Sequence, residues 1–259
     1  MTSIHGLMSR REFVAGATAA ALMPALLGCG RTPTEVVVTA PRLTARPGLP
    51  ALEPTHGLNP LGLETARDGL LYVPESYTPD APMPLMVVLH GAGGSGSEWQ
   101  SYHARAEARG MIVLAPDSRG STWDVVLGQW GPDVRFLDRA LQQTFDHYRV
   151  DPTHLALGGF SDGASDALSV GLSNGDLFTH LIAYSPGFIV PAEPIVGKPK
   201  VYVSHGTNDP ILPVKLSRDG IVPGLRDDGY DVTFNEFSGT HQVPAAVSEA
   251  ALDWFLGGS

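Results

Sequence analysis

Residues 84–91 read PLMVVLHG, and this run narrows the fold more than any other feature. Positions 85–89 are apolar without interruption. A strand with one solvated face alternates apolar and polar side chains, so this strand must be covered on both faces. That is the situation of a parallel sheet sandwiched by helices. Similar β-rich runs fall at 70–73, 111–115, 155–157, 181–184, 201–204 and 232–237. Between most of them the periodicity becomes helical. Val134, Leu137, Leu141 and Phe145 share one face of a helix predicted over 134–148, with Asp133 after Pro132 at its start. Val247, Ala251, Trp254 and Phe255 do the same over 244–256. Strand, helix and strand in repetition predict an α/β, three-layer fold: a mostly parallel sheet with helices on both faces. A chain of 259 residues, 43% of them hydrophobic, holds one substantial core, with no room for a large cap domain.

This texture gives meaning to residues 158–165, GGFSDGAS. They contain the pattern G-x-S-x-G between a strand and a helix, where Gly159 and Gly163 permit a sharp bend and Ser161 is left at the sheet's carboxyl edge. A hydroxyl is a weak nucleophile and needs a base, which in turn needs an orienting carboxylate. In α/β folds of this kind the chain order is Ser, Asp or Glu, His. The segment SHGTNDPILPV supplies Asp209 in a loop just past a strand, whereas Asp219, Asp227 and Asp228 fall in a polar helical stretch. Only one histidine follows Asp209: His241, in FSGTHQVP. His205 precedes Asp209 and reads as a turn residue. The glycine-rich LHGAGGSG after the buried strand offers backbone amides for a developing oxyanion. Those expected are Ala92 (Gly93 as the alternative) and Asp162, the residue after the nucleophile, while His90 reads as a brace for this loop. The loop over 117–132, DSRGSTWDVVLGQWGP, carries Trp123 and Trp130, expected to wall an apolar or aromatic substrate pocket.

The blocks LHGAGG, GGFSDGAS, SHGTNDPILPV and SGTHQV resemble, in order and spacing, the phospholipase/carboxylesterase family of α/β hydrolases, which includes acyl-protein thioesterases. HGAGG is also similar to secreted polyhydroxybutyrate-depolymerase and feruloyl-esterase-like enzymes. The likeness runs from about Leu70 to the C-terminus. It implies an α/β-hydrolase fold, a Ser161–Asp209–His241 triad, oxyanion amides at Ala92 and Asp162, and hydrolysis of carboxylic esters through an acyl-enzyme. Asp162 stands where acyl-protein thioesterases usually carry Gln, so their substrate does not carry over; aromatic or polyester-type esters are the alternatives. Competing readings are a thioesterase or peptidase with the same triad, and a non-catalytic surface lipoprotein built on a hydrolase scaffold.

The amino-terminal residues tell a separate story. Arg10, Arg11 and Phe13 precede an apolar, Ala-rich run that ends at Gly28 and Cys29. This is the order of an export signal, of twin-arginine type, and it is too short to span a bilayer. Residues 26–29, LLGC, resemble a lipobox that would lipidate Cys29. The expected organisation is a signal over 1–28, a Pro/Thr-rich tether over 29–60 and a catalytic domain over 61–259. Cys29 is the single cysteine, so no intrachain disulfide forms. The net charge of −10 and the lack of any Lys/Arg-rich run argue against a nucleic-acid partner. No metal-ligand spacing of the H-E-x-x-H or clustered Cys/His kind occurs, so no metal or other cofactor is expected. The expected partner is an ester substrate, small or polymeric, with membrane contact only through the lipid anchor. The expected location is the cell envelope or outside the cell.

Overall fold

The computed structural model describes residues 41–190 and 192–257. Eight strands form one sheet in the order β1-β2-β4-β3-β5-β6-β7-β8. They are β1 (Gly57–Pro60), β2 (Gly69–Val73), β3 (Met83–Leu89), β4 (Ile112–Pro116), β5 (Val150–Phe160), β6 (His180–Tyr184), β7 (Lys200–Gly206) and β8 (Val232–Phe237). β1 and β2 are antiparallel to their neighbours, and every pairing from β4 to β8 is parallel. The apolar run at 85–89 is fully buried, as a strand covered on both faces must be.

Among the described residues five α-helices cover the sheet: α1 (Ser101–Arg109), α2 (Pro132–His147), α3 (Asp162–Ser173), α4 (Val222–Asp227) and α5 (Ala245–Phe255). Two cores result. Leu137, Leu168 and Leu225 of α2, α3 and α4 pack with Leu85, Val87 and Leu157 on one face. Tyr102, Ala106, Val247 and Leu252 of α1 and α5 pack with Met86, Val88 and Ile182 on the other. The alternation along β3 divides its side chains between the two. Register aligns the strand ends: Leu89 lies beside Gly159, Phe160 beside Tyr184, and Gly206 beside Phe237. The loops after β3, β5, β7 and β8 therefore emerge together at one edge, the carboxyl edge, where open α/β folds bind ligands.

The expected tether departs from this picture. Residues 41–60 lie on the domain. Leu43 and Ala45 are buried in the first core, and β1 extends the sheet. Arg42 grips Asp176 with both terminal nitrogens at 2.9 Å. The backbone amides of Thr44 and Ala45 donate to Asp138 at 2.7 and 2.9 Å, and the Leu43 amide donates to Asn174 Oδ1 at 2.9 Å. The partners sit on or beside α2 and α3, about 90 to 130 residues away in sequence, so no local pattern announces them. Residues 41–60 are thus packed as part of the domain. The signal, Cys29 and Val36–Val38 lie outside the described residues. Among the described residues, no helix is long and apolar enough to cross a membrane.

Candidate active site

β5 ends at Phe160, and α3 begins at Asp162 with a single residue between them. That residue, Ser161, has φ 57° and ψ −118°, a left-handed conformation that a side chain adopts only under constraint. The constraint is visible on both sides. A Cβ on Gly159 would come within 2.4 Å of the Gly163 carbonyl oxygen, and one on Gly163 within 2.4 Å of the Leu89 carbonyl oxygen. Only glycines let the two backbones approach this closely. The Ser161 amide donates to the Tyr184 carbonyl at 2.9 Å, tying the turn to β6.

The structure brings Ser161, His241 and Asp209 together from three loops. Ser161 Oγ lies 2.9 Å from His241 Nε2, and His241 Nδ1 lies 2.6 Å from Asp209 Oδ2. With a carboxylate on Nδ1, that nitrogen carries the proton, so Nε2 is the free lone pair and the serine hydroxyl donates to it. Ser161 is 8% exposed. Burial raises the Asp209 pKa, but the His241 hydrogen bond and the amides of Leu212 and Ile211, both 2.9 Å from Oδ1, together hold it below the usual carboxylate range. Asp209 is thus an ionised acceptor at neutral pH.

His205 stands beside this carboxylate, its Nε2 3.3 Å from Asp209 Oδ2. The same nitrogen donates to the Leu212 carbonyl at 2.7 Å, and Nδ1 accepts from Ser217 Oγ at 2.8 Å. Burial lowers its pKa, so it is neutral and braces the acid loop without competing for the charge. Its place directly before a Gly-Thr-Asn-Asp turn marks a turn residue in sequence; its partnership with Asp209 needs the folded loop.

The glycine loop after β3 is fastened at several points. His90 is fully buried, donates from Nδ1 to the Gly91 carbonyl at 2.7 Å and accepts the Ser118 amide on Nε2 at 3.0 Å. Burial lowers its pKa, in keeping with a neutral brace. Arg67, which local sequence did not mark, donates to the Gly94 carbonyl and to Ser118 Oγ at 2.9 Å each. A Cβ on Gly91 would stand 3.6 Å from Ser161 Cβ, so the loop passes directly beside the serine. The Gly93 amide is committed to the Ser121 carbonyl at 2.6 Å. The Asp162 amide opens α3, at a position with no carbonyl partner inside the helix. Of the three amides expected for an oxyanion, that of Gly93 is therefore already engaged.

Two further expectations change. Trp123 is 1% exposed, belongs to the first core and spends its indole N–H on the His90 carbonyl at 2.8 Å. It supports the glycine loop from beneath and offers no open face to a substrate. Trp130 is 9% exposed and packs in the same core. The loop over 117–132 meets the Ser161 turn through Thr122, whose hydroxyl donates to the Asp162 side chain at 2.6 Å. The Asp that replaces the Gln of acyl-protein thioesterases is therefore a fastener between loop and helix.

A mostly parallel eight-stranded sheet with a strained serine turn at the end of β5 defines the class: an esterase of the α/β-hydrolase fold. The sequence matches the esterase family (described as "Putative esterase") over residues 62–221, more than half of the chain. The chain belongs to that family and is a carboxylic ester hydrolase. It is 28% identical over 205 residues to feruloyl esterase C of Emericella nidulans, covering 75% of this chain and 71% of that protein. Among solved structures it is similar to an acetyl xylan esterase from Aspergillus awamori, with a TM-score of 0.62, 18% identity and coverage of 78% and 100% of the two chains. The Bacillus cereus carboxylesterase gives a TM-score of 0.57, 19% identity and coverage of 76% and 96%. These two likenesses concern the fold.

Proposed function

We propose that this esterase works through an acyl-enzyme formed on Ser161. His241 Nε2 takes the serine proton as Oγ attacks the ester carbonyl, then gives it to the departing alcohol. Asp209 holds the imidazole in the required tautomer and balances its transient charge. The amides of Ala92 and Asp162 receive the oxyanion, aided by the amino-terminus of α3. The observation that carries this reading is the unbroken chain from Ser161 Oγ to His241 to Asp209, at 2.9 and 2.6 Å. Water attacks the acyl-enzyme by the same route in reverse.

The acid half of the ester is aromatic in this proposal. The likeness to a feruloyl esterase supports it, as does an apolar cavity of about 270 Å³ lined by Phe188, Ile189, Leu216 and Ile221. The cavity adjoins the nucleophile helix: the Gly187 amide donates to Ser165 Oγ at 3.0 Å, and that hydroxyl donates to the Ser161 carbonyl at 3.2 Å. Export through the amino-terminal signal and anchoring at Cys29 belong to the same proposal, since an anchored domain reaches esters too large to enter a cell.

The test is Ser161→Ala, measured with methyl esters of benzoic and cinnamic-type acids and with a fluorophosphonate probe. Turnover should fall by a factor on the order of 10⁴ or more and labelling should vanish. Retention of more than a tenth of the activity would remove Ser161 from the reaction.

A further inference from the structure

A hollow of about 440 Å³ lies at the far end of the sheet from the triad. It is built on the first residues of two strands, His180 of β6 and Lys200 of β7, together with His154 of β5 and the last turn of α5 at Trp254 and Phe255. The triad loops follow the other ends of the strands, on the order of 15 Å away at about 3.3 Å per residue. Lys198 and Lys200 both line the hollow, and among the described residues no carboxylate does, in a chain whose net charge is −10. We propose that this hollow is a second, non-catalytic binding site and that its ligand is an aromatic carboxylate. The proposal does not rest on the acyl-enzyme reading of Ser161.

Charge decides the polar end of the ligand. His180 and Lys200 are register partners on adjacent parallel strands, so their side chains leave the same face of the sheet. Lys200 is exposed, and its ammonium has no hydrogen-bond or ion-pair partner among the described residues. Lys198 Nζ donates to the Asp228 carbonyl at 2.7 Å and lies 4.0 Å from the centre of the Tyr230 ring, partners that fix it without neutralising it. The Asp151 carboxylate is turned to His154 Nδ1 at 2.8 Å and to the Thr153 hydroxyl at 2.7 Å. His180 is 8% exposed, and that exposure opens on the hollow. The Thr179 hydroxyl lies 2.8 Å from His180 Nδ1 and 3.1 Å from the Leu155 carbonyl; donating over the shorter contact, it leaves the proton of the neutral ring on Nε2. Burial, then Lys200 and His154, keep that ring neutral by pushing its pKa down to about 4. The outer edge of the imidazole therefore presents a donor with no acceptor among the described residues, a cost that a ligand oxygen relieves. A carboxylate brings one oxygen for Nε2 and another for Lys200.

The walls decide the remainder of the ligand. Trp254 is half-buried and meets His180 in a T-shaped contact, centroids 5.1 Å apart, while the His154 ring lies parallel to His180 at 6.2 Å. Flat rings on several sides favour a planar apolar body, held in offset or edge-to-face contact. A small anion leaves those rings uncovered, and a neutral ring leaves the lysines unpaired. An acid of the class released in the proposed reaction carries both features.

The test is equilibrium binding to the full chain, read from the indole N–H resonances of isotope-labelled protein. The signal lost in Trp254→Phe assigns Trp254, the tryptophan that lines the hollow. Cinnamate should shift that signal saturably. Cinnamamide keeps the ring and loses the charge, acetate keeps the charge and loses the ring, and each should need about tenfold more ligand. Lys200→Glu should raise the half-saturating cinnamate concentration about tenfold, and His180→Phe, which keeps a ring but removes Nε2, should raise it severalfold. A Trp254 signal unmoved by cinnamate, equal half-saturation with cinnamamide or acetate, or an affinity unchanged in both variants would overturn the proposal. No turnover is read, so its failure is distinct from failure of the triad reading, which Ser161→Ala reports by itself.

Discussion

Ser161 is held at φ 57° by its neighbours and not by its own preference. The strain is maintained because Gly159 and Gly163 let β5, α3 and the end of β3 close around it. Gly163→Ala should therefore destabilise the fold by about 1–3 kcal/mol, as overpacking against the rigid Leu89 backbone does, and should reduce activity at 25 °C. A urea titration alongside the assay checks this; an unchanged midpoint would mean that the turn has room to spare. Asp209 has a different role. Asp209→Asn keeps an oxygen for the Ile211 and Leu212 amides but loses the charge beside His241. Turnover should fall by about 10³–10⁴ with little change in stability. A rate within tenfold of wild type would require another acid.

At the scale of single elements, β6 carries a pH dependence. His180 is buried against Trp254 and Phe255 of α5, with Lys200 and His154 nearby. Burial, then the charges of Lys200 and His154, pushes its pKa down to about 4. Between about pH 4 and 6.5 the unfolded chain holds a proton that the folded chain lacks, so stability falls as pH drops through that window, by up to about 3 kcal/mol. Asp133 acts in the opposite sense: burial raises it to about 6, so the folded chain binds protons first and acidification favours it. Comparison with His180→Phe isolates the histidine. The wild type should lose more stability than the variant between pH 7 and 4.5 in urea titrations; parallel losses would remove His180 from the account. The Thr122–Asp162 hydrogen bond fastens the start of α3 to the loop over 117–132. Thr122→Val should loosen the loop and lower kcat/KM severalfold, with fluorophosphonate labelling slowed to match.

For the molecule as a whole, the packed segment before β2 sets where the chain can be cut. Starting the protein at Leu61 removes β1, the buried Leu43 and the anchors on Asp138, Asn174 and Asp176. Arg42 and then Arg46 hold the Asp176 carboxyl down to about 2, so that anchor persists well into acid. The truncated protein should melt about 5–10 °C below one that starts at Pro41, each lost kcal/mol lowering Tm by about 2–4 °C in a domain of this size. Equal melting temperatures would make residues 41–60 dispensable. Cys29→Ser should release the enzyme from membranes with catalysis intact, as fractionation with a fatty-acid probe would report. Wild-type protein that is wholly soluble and unlabelled would defeat the anchor.

Local residue order was enough to specify the α/β layering and to single out Ser161, Asp209 and His241, which the fold brings within hydrogen-bonding distance. Burial on both faces leaves an uninterrupted apolar run at 85–89, and a strand-to-helix turn at the crowded β5 end needs glycines at fixed offsets. Both are short-range demands that the chain records directly. Contacts between distant segments decided the rest. Asp138 and Asp176 turn a Pro/Thr-rich stretch into part of the domain, although its own composition has no period. Trp123 looks like a pocket wall until the His90 carbonyl takes its N–H and the core encloses its ring. Gly93 is an open alternative to Ala92 in LHGAGG until the Ser121 carbonyl occupies its amide. A side chain's chemistry is carried by its own identity, but whether that chemistry is free depends on which partner the fold brings against it.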